Sequence, residues 1–234
     1  MSGPLESRDA AEPDMAVTGA SVPDASAAPD SWTIVIPVKS PATAKTRLAA
    51  AVPPALRAEL ARAFALDTIA AALASQQVSR VIVVGDDPSI AGGAEFLTEP
   101  EGGQGLLAAV HQGINRARAA SNGPVAVLLG DLPALTPDEL DAALGAAAGH
   151  PLAFVRDADG TGTTLATAAA GRPFEPRFGL DSAALHVADG YVELEASAGL
   201  TRDVDTVDAL AQALALGVGR HTSAVAPRIG HNAS

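Results

Sequence analysis

Two lysines occur in the 234 residues, Lys39 and Lys45, and both stand in Pro37-Val38-Lys39-Ser40-Pro41-Ala42-Thr43-Ala44-Lys45-Thr46-Arg47-Leu48, with Arg47 beside them. In a chain of net charge −12 this is a concentrated cationic segment. Ammonium and guanidinium groups hold phosphate oxygens, so one chemistry open to it is a polyphosphate clamp. A solvated loop has the same composition, and that alternative stands beside the first. Lys45-Thr46 is not the end of a P-loop, because the upstream glycines are missing.

Carboxylates form the second group. Asp131 lies in Gly130-Asp131-Leu132-Pro133-Ala134-Leu135, and two more acids lie in Arg202-Asp203-Val204-Asp205-Thr206. Residues i and i+2 of an extended chain point to one side, so Asp203 and Asp205 repel unless a cation sits between them. With Asp131 they could form an oxygen site for Mg²⁺, which takes carboxylates together with substrate phosphates. The competing roles are a turn or helix cap for Asp131, and a helix cap for Asp205 with Asp203 exposed.

Two loops combine glycine with hydroxyls: Asp159-Gly160-Thr161-Gly162-Thr163-Thr164 before a strand, and Phe178-Gly179-Leu180-Asp181-Ser182 before a short helix. Such loops at a helix start can hold a small anion, or can be simple turns. Other chemistries lack their signatures. No Gly-x-Gly-x-x-Gly or Gly-x-Ser-x-Gly occurs, and there is no cysteine. His111, His150, His186, His221 and His231 show no metal-ligand spacing and are expected as surface or packed residues.

The elements that must position these groups alternate. Apolar strands are expected at 33–37, 80–84, 125–129, 152–155, 164–168 and 191–194. Helices are expected at 54–75, 105–120, from Pro137, and from an Asp205 or Thr206 cap to Leu216. Continuous apolar strands separated by helices imply an α/β domain, its sheet covered on both faces and parallel in its first half. In such sheets ligands gather beyond the carboxyl ends of the strands, which is where the basic segment and Asp131 fall.

Residues 1–31 carry prolines and acids without apolar periodicity and are expected to be disordered; a flexible tail is expected over 221–234, leaving 32–220 as one domain. The acidic balance, with one Trp, one Tyr and five Phe, disfavours nucleic acid and anionic membrane as partners. The start of the chain has neither a basic nor an apolar leader region, and no run reaches the ~18 apolar residues of a membrane helix, so a cytoplasmic protein is expected.

In this order the segments Pro-Val-Lys…Ala-Lys-Thr-Arg-Leu, Gly-Asp-Leu-Pro-Ala-Leu, Asp-Gly-Thr-Gly-Thr, Arg-Phe-Gly-x-Asp-Ser…His and Asp-Val-Asp-Thr resemble the CofC/FbiD guanylyltransferase family of coenzyme F420 biosynthesis, from about Thr33 to Gly219. The resemblance implies a single-domain, Rossmann-like nucleotidyltransferase fold with a mixed, mostly parallel sheet. It implies transfer of GMP from GTP to a small phosphorylated three-carbon acid, with handover of the product to the next enzyme of the pathway. That acid is phosphoenolpyruvate in bacterial relatives and 2-phospho-L-lactate in archaeal ones, with 3-phospho-D-glycerate a further alternative; the Asp-Ser form of the Phe-Gly loop looks bacterial. Carried over, Asp131, Asp203 and Asp205 match the family's Mg²⁺ ligands, Thr163, Gly179 and Ser182 its phosphoenolpyruvate contacts, and Lys39, Lys45 and Arg47 its triphosphate-facing loop, with Lys39 counted among the catalytic residues. Gly105-Leu106-Leu107 departs from the Gly-Leu-Asn or Pro-Leu-Asn of many relatives. Leu107 fits the helix's apolar stripe and is expected in the core, which removes any base contact there. Rival readings are a molybdopterin guanylyltransferase or sugar-nucleotide synthase, which usually begin with a glycine-rich loop, and a non-catalytic nucleotide-binding module.

Overall fold

A computed structural model describes residues 31–38, 52–99 and 105–232. The segment 1–30 and the cationic loop with Lys39, Lys45 and Arg47 lie outside the described residues.

Strands β1 (Trp32–Pro37), β2 (Val78–Gly85), β3 (Glu95–Thr98), β4 (Val125–Leu128), β5 (Leu152–Arg156), β6 (Thr163–Ala168) and β7 (Val192–Glu193) form one sheet in the order β3-β2-β1-β4-β6-β5-β7. The first four pair in parallel, β6 runs antiparallel to both β4 and β5, and β7 is parallel to β5. The expected mixed, mostly parallel α/β sheet is therefore present. Strand β3 was not expected: it is a four-residue edge strand, with Glu95 and Thr98 at its ends, too short and polar to stand out as an apolar run.

Alternation along the strands feeds two cores. Trp32, Ile34 and Ile36 of β1, Val81 and Val83 of β2, and Leu128 of β4 enter one core. Val35, Ile82, Val84 and Val127 enter the other. Both faces are covered, which is why these strands read as unbroken apolar runs rather than as alternating ones. Helix α1 (Pro54–Ala74) packs one side on the first core through Ile69 and Ala72, and buries Leu56, Leu60 and Phe64 in a third cluster with Val204 and Leu210. Helix α2 (Leu106–Ala120) lies on the second core through Ala109, Val110, Gly113, Ile114 and Ala117. The remaining helices are α3 (Pro137–Ala147), α4 (Ser182–Ala188), α5 (Ala198–Thr201), α6 (Val207–Leu216) and α7 (Arg220–Val225). Among the described residues no helix is long and apolar enough to cross a membrane.

Helix α7 corrects the flexible tail expected from His221. The buried carboxylate of Asp67 on α1 accepts the amides of His221 at 3.0 Å and Thr222 at 2.8 Å, tying down the first turn of α7. A carboxylate there satisfies two donors that the helix itself leaves unpaired and complements the helix dipole.

Gly113 lets α2 approach β1. A methyl group at this position would collide with Val35 on the central strand and press on Val84 at 3.2 Å. Gly113→Ala is expected to lower stability, although alanine is intrinsically the better helix former by about 1 kcal/mol. Overpacking costs about 1–3 kcal/mol, and a domain of this size loses about 2–4 °C of melting temperature per kcal/mol. Calorimetry that finds the variant more stable would show that β1 yields.

Candidate functional site

The three acids are delivered by different elements. At the end of β4 the amide of Leu129 donates to the Thr164 carbonyl at 2.9 Å, and the chain then leaves the sheet. The Leu132 amide donates to Oγ1 of buried Thr68 at 3.1 Å, pinning the turn to α1. The turn ends in the α3 capping box, where Thr136 and Glu139 satisfy each other's amides. The segment with Asp203 and Asp205 is anchored to the same turn, since the Val204 amide donates to the Asp131 carbonyl at 3.1 Å. Val204 is fully buried. Its neighbours on either side are half-buried acids, as an extended chain requires.

As a result one carboxylate oxygen from each of Asp131, Asp203 and Asp205 lies within 4.8 Å of the others. The capping alternatives are taken by other residues: Thr136 caps α3, and Thr206 caps α6 by accepting the Ala209 amide at 3.1 Å. Three anionic oxygens so close are mutually repulsive. An all-oxygen, carboxylate donor set fits a hard divalent cation such as Mg²⁺.

The last described residue before the basic segment is Val38. Val38 continues β1, its amide donating to the Val84 carbonyl at 2.8 Å. Its side chain packs over Gly130, where an added Cβ would sit 3.2 Å from Val38 Cγ2. Glycine at 130 thus lets the end of β1 abut the residue before Asp131. Lys39, Lys45 and Arg47 themselves lie outside the described residues.

Thr163, Ser182 and Gly179 meet at the start of α4. The β4–β6 register pairs Leu128 with Leu165, so β6 begins with Thr163 alongside the end of β4. The loop before Thr163 is folded on Asp157, whose carboxylate accepts the amides of Thr161 at 3.0 Å and Gly162 at 2.8 Å. It is joined to the Asp203 segment by the Ala158 amide, which donates to Thr201 at 2.9 Å. Ser182 Oγ donates to Thr163 Oγ1 at 3.1 Å, and both residues are buried. Gly179, with φ 132°, and Asp181, with φ 53°, shape the exposed turn above them. The amides at the start of α4 do not take the anion-holding role expected of them. The Ser182 amide is bonded to the Gly179 carbonyl of the turn at 3.3 Å and the Ala183 amide to the Thr161 carbonyl of the loop before β6 at 3.1 Å, so both are already satisfied.

Sequence reasoning missed one member of this group. His186 is fully buried, with Nδ1 3.0 Å from Thr163 Oγ1 and Nε2 accepting the Arg177 amide at 3.0 Å. It stacks on Phe154 at 5.3 Å and meets the edge of Tyr191 at 4.7 Å. Burial pushes the imidazole down to about 4, against the opposing pull of the Ser182 carbonyl, and pushes the Tyr191 hydroxyl up to about 12. The spacing from Ser182 to His186, i to i+4 on a helix, was the available signal. His111 is half-exposed on α2 with Nε2 3.3 Å from Glu175.

Leu107 corrects a second expectation. It is 40% exposed, not core. It belongs to the first turn of α2, and Leu106 is the residue of that turn that packs on the second core. The contiguous buried face of the helix starts only at Ala109.

The chain is similar to known proteins in sequence and in fold. Residues 54–186 match the MobA-like NTP transferase domain family. The chain is 48% identical over 209 residues to a phosphoenolpyruvate guanylyltransferase of Streptomyces scabiei, covering 85% of this chain and 97% of that protein. It is 50% identical over 206 residues to a phosphoenolpyruvate guanylyltransferase of Streptomyces coelicolor, again covering 85% and 97%. Among solved structures, a nucleotidyl transferase from Methanothermobacter thermautotroptrophicus shares the fold at 16% identity, with a TM-score of 0.54, over 78% of this chain and 95% of that one.

Proposed function

The chain belongs to the phosphoenolpyruvate guanylyltransferase family, and on that premise we propose that it transfers GMP from GTP to phosphoenolpyruvate, yielding enolpyruvoyl-2-diphospho-5'-guanosine and pyrophosphate. The observation that carries this reading is the convergence of Asp131, Asp203 and Asp205, one carboxylate oxygen of each lying within 4.8 Å of the others.

In the reaction a phosphate oxygen of the acceptor attacks the α-phosphorus of GTP in line. The new P–O bond forms as the bond to the β-phosphate oxygen breaks, and pyrophosphate leaves. A phosphate dianion is already ionised near neutral pH, so no protein group has to remove a proton. The protein's work is positioning and charge stabilisation. Asp131, Asp203 and Asp205 would hold Mg²⁺, which supplies neutralisation of charge on the phosphate oxygens. Lys39, Lys45 and Arg47 are assigned to the triphosphate and the leaving pyrophosphate. Thr163, Ser182 and the Gly179 turn are assigned to the acceptor. The activity belongs to coenzyme F420 biosynthesis in the cytoplasm, with the product passed to the next enzyme of that route.

A pyrophosphate-release assay with GTP and a panel of acceptors tests this. We expect release with phosphoenolpyruvate, little with 2-phospho-L-lactate or 3-phospho-D-glycerate, none without acceptor, and loss of turnover in excess EDTA. Preference for 2-phospho-L-lactate would change the acceptor and keep the reaction. Undiminished turnover in EDTA would remove the metal assignment. GTP binding with no turnover on any acceptor would make the chain a nucleotide-binding module.

A further inference from the structure

Each hydroxyl in the Thr163–Ser182 pair has one proton to give. Which of them faces the acceptor depends on what lies behind the pair, and that is His186. The Arg177 amide donates to Nε2 at 3.0 Å, which makes Nε2 the unprotonated nitrogen of a neutral ring. The proton is then on Nδ1, 3.0 Å from Thr163 Oγ1, and Nδ1–H donates to that oxygen. Ser182 Oγ–H donates to the same oxygen at 3.1 Å. A hydroxyl oxygen accepts two hydrogen bonds. Both places on Thr163 are filled, so its own proton must point out of the trio. Were Nε2 protonated instead, Nδ1 would accept the Thr163 proton, Ser182 would still donate inward, and no hydroxyl proton would remain for a ligand.

We propose that His186 is a positioning residue for the acceptor: it is locked as the Nδ1–H tautomer by the Arg177 amide and so keeps one hydroxyl proton of the Thr163–Ser182 pair directed at the incoming phosphorylated acid. The inference rests on the assignment of Thr163 and Ser182 to the acceptor pocket. The ring is held for this task from several sides. Phe154 and Tyr191 pack on it, Phe178 approaches edge-on at 5.8 Å, and Arg177, which supplies the locking amide, is fixed by its own side chain donating to Asp189 at 2.7 Å.

Two substitutions separate the two nitrogens. Asn at 186 can place its amide N–H where Nδ1–H stood. Gln at 186 can accept the Arg177 amide as Nε2 does, but offers Thr163 no donor from the Nδ1 position. We expect His186→Gln to raise the KM for phosphoenolpyruvate about tenfold with the KM for GTP little changed, the scale of one lost hydrogen bond to a charged group. His186→Asn should stay within about threefold of the wild type. In a Thr163→Val background, itself raised about tenfold, His186→Gln should add little, because the two act through one hydroxyl. Equal losses in Gln and Asn, or additive losses with Thr163→Val, would reduce His186 to a packing residue and leave the pocket standing. Unchanged acceptor kinetics in Thr163→Val would overturn the inference together with the pocket assignment. ¹⁵N NMR of the unsubstituted protein tests the tautomer without any variant: a protonated Nδ1 and bare Nε2 are expected, and the reverse would overturn the inference outright.

Discussion

Asp131→Asn, Asp203→Asn and Asp205→Asn are each expected to lower GTP-dependent pyrophosphate release by at least ~10²-fold, the scale for removing a preorganised charge from a phosphoryl-transfer site. Each variant keeps the shape of the side chain and removes one of three anionic oxygens that lie within 4.8 Å of one another. The fold should survive, because these segments are also anchored through backbone and apolar burial: the Val204 amide on the Asp131 carbonyl, the Leu132 amide on Thr68, and the burial of Val204. Melting temperature measured in EDTA should therefore hold or rise as like charges are relieved. In saturating Mg²⁺ the unsubstituted protein should gain stability that the variants do not, since binding to the folded state alone shifts its melting. A variant that retained near-normal turnover would return its aspartate to a structural role. Thr136 and Thr206 already occupy the two helix caps, so that role would have to be a turn.

Gly179→Val is expected to abolish use of phosphoenolpyruvate while GTP binding persists. Its φ of 132° lies where side chains are rarely tolerated, and strain of this kind costs about 1–3 kcal/mol. Among the described residues a Cβ there meets no atom within 4 Å beyond its own chain neighbours. The expected damage is thus to the backbone of the turn and to the close approach of a ligand, not to core packing. The turn cannot relax alone, because the Gly179 carbonyl accepts the Ser182 amide, and Ser182 carries the hydroxyl bonded to Thr163. Thr163→Val and Ser182→Ala should be milder, raising the acceptor KM about tenfold each. A Gly179→Val enzyme with ordinary acceptor kinetics would move the pocket away from this turn. Calorimetric binding of GTP to the same preparation checks that the nucleotide half is intact.

Much of the fold could be read along the chain, for physical reasons visible in particular elements. Strands β1, β2 and β4 are covered on both faces over 34–36, 81–84 and 125–128, so each carries a continuous apolar run. Helix α3 announces its start with Thr136, Pro137 and Glu139, which do the capping locally. Strand β3 exists only because it pairs with β2, and helix α7 is fastened at its start by Asp67, 154 and 155 positions away. Neither dependence leaves a local trace. Leu107 satisfied the helical period yet ended exposed, since periodicity identifies a face and not how far the sheet beneath it reaches.

For the site the division is similar. Sequence alone determined the inventory: a cationic segment after β1, an acid after β4, an Asp-x-Asp before α6, and hydroxyls beside glycines around β6 and α4. Those placements follow from the rule that ligands gather at the carboxyl ends of parallel strands, and strand ends can be located from local composition. Tertiary structure alone decided the choices between roles. Asp205 and Thr206 are both good helix caps, and only the burial of Val204 and its bond to Asp131 turn the Asp-x-Asp pair into the carboxylate cluster and leave the cap to Thr206. Likewise a histidine four residues after Ser182 has two possible tautomers. The Arg177 amide selects one, because a backbone N–H arriving from another segment can only be accepted by an unprotonated nitrogen.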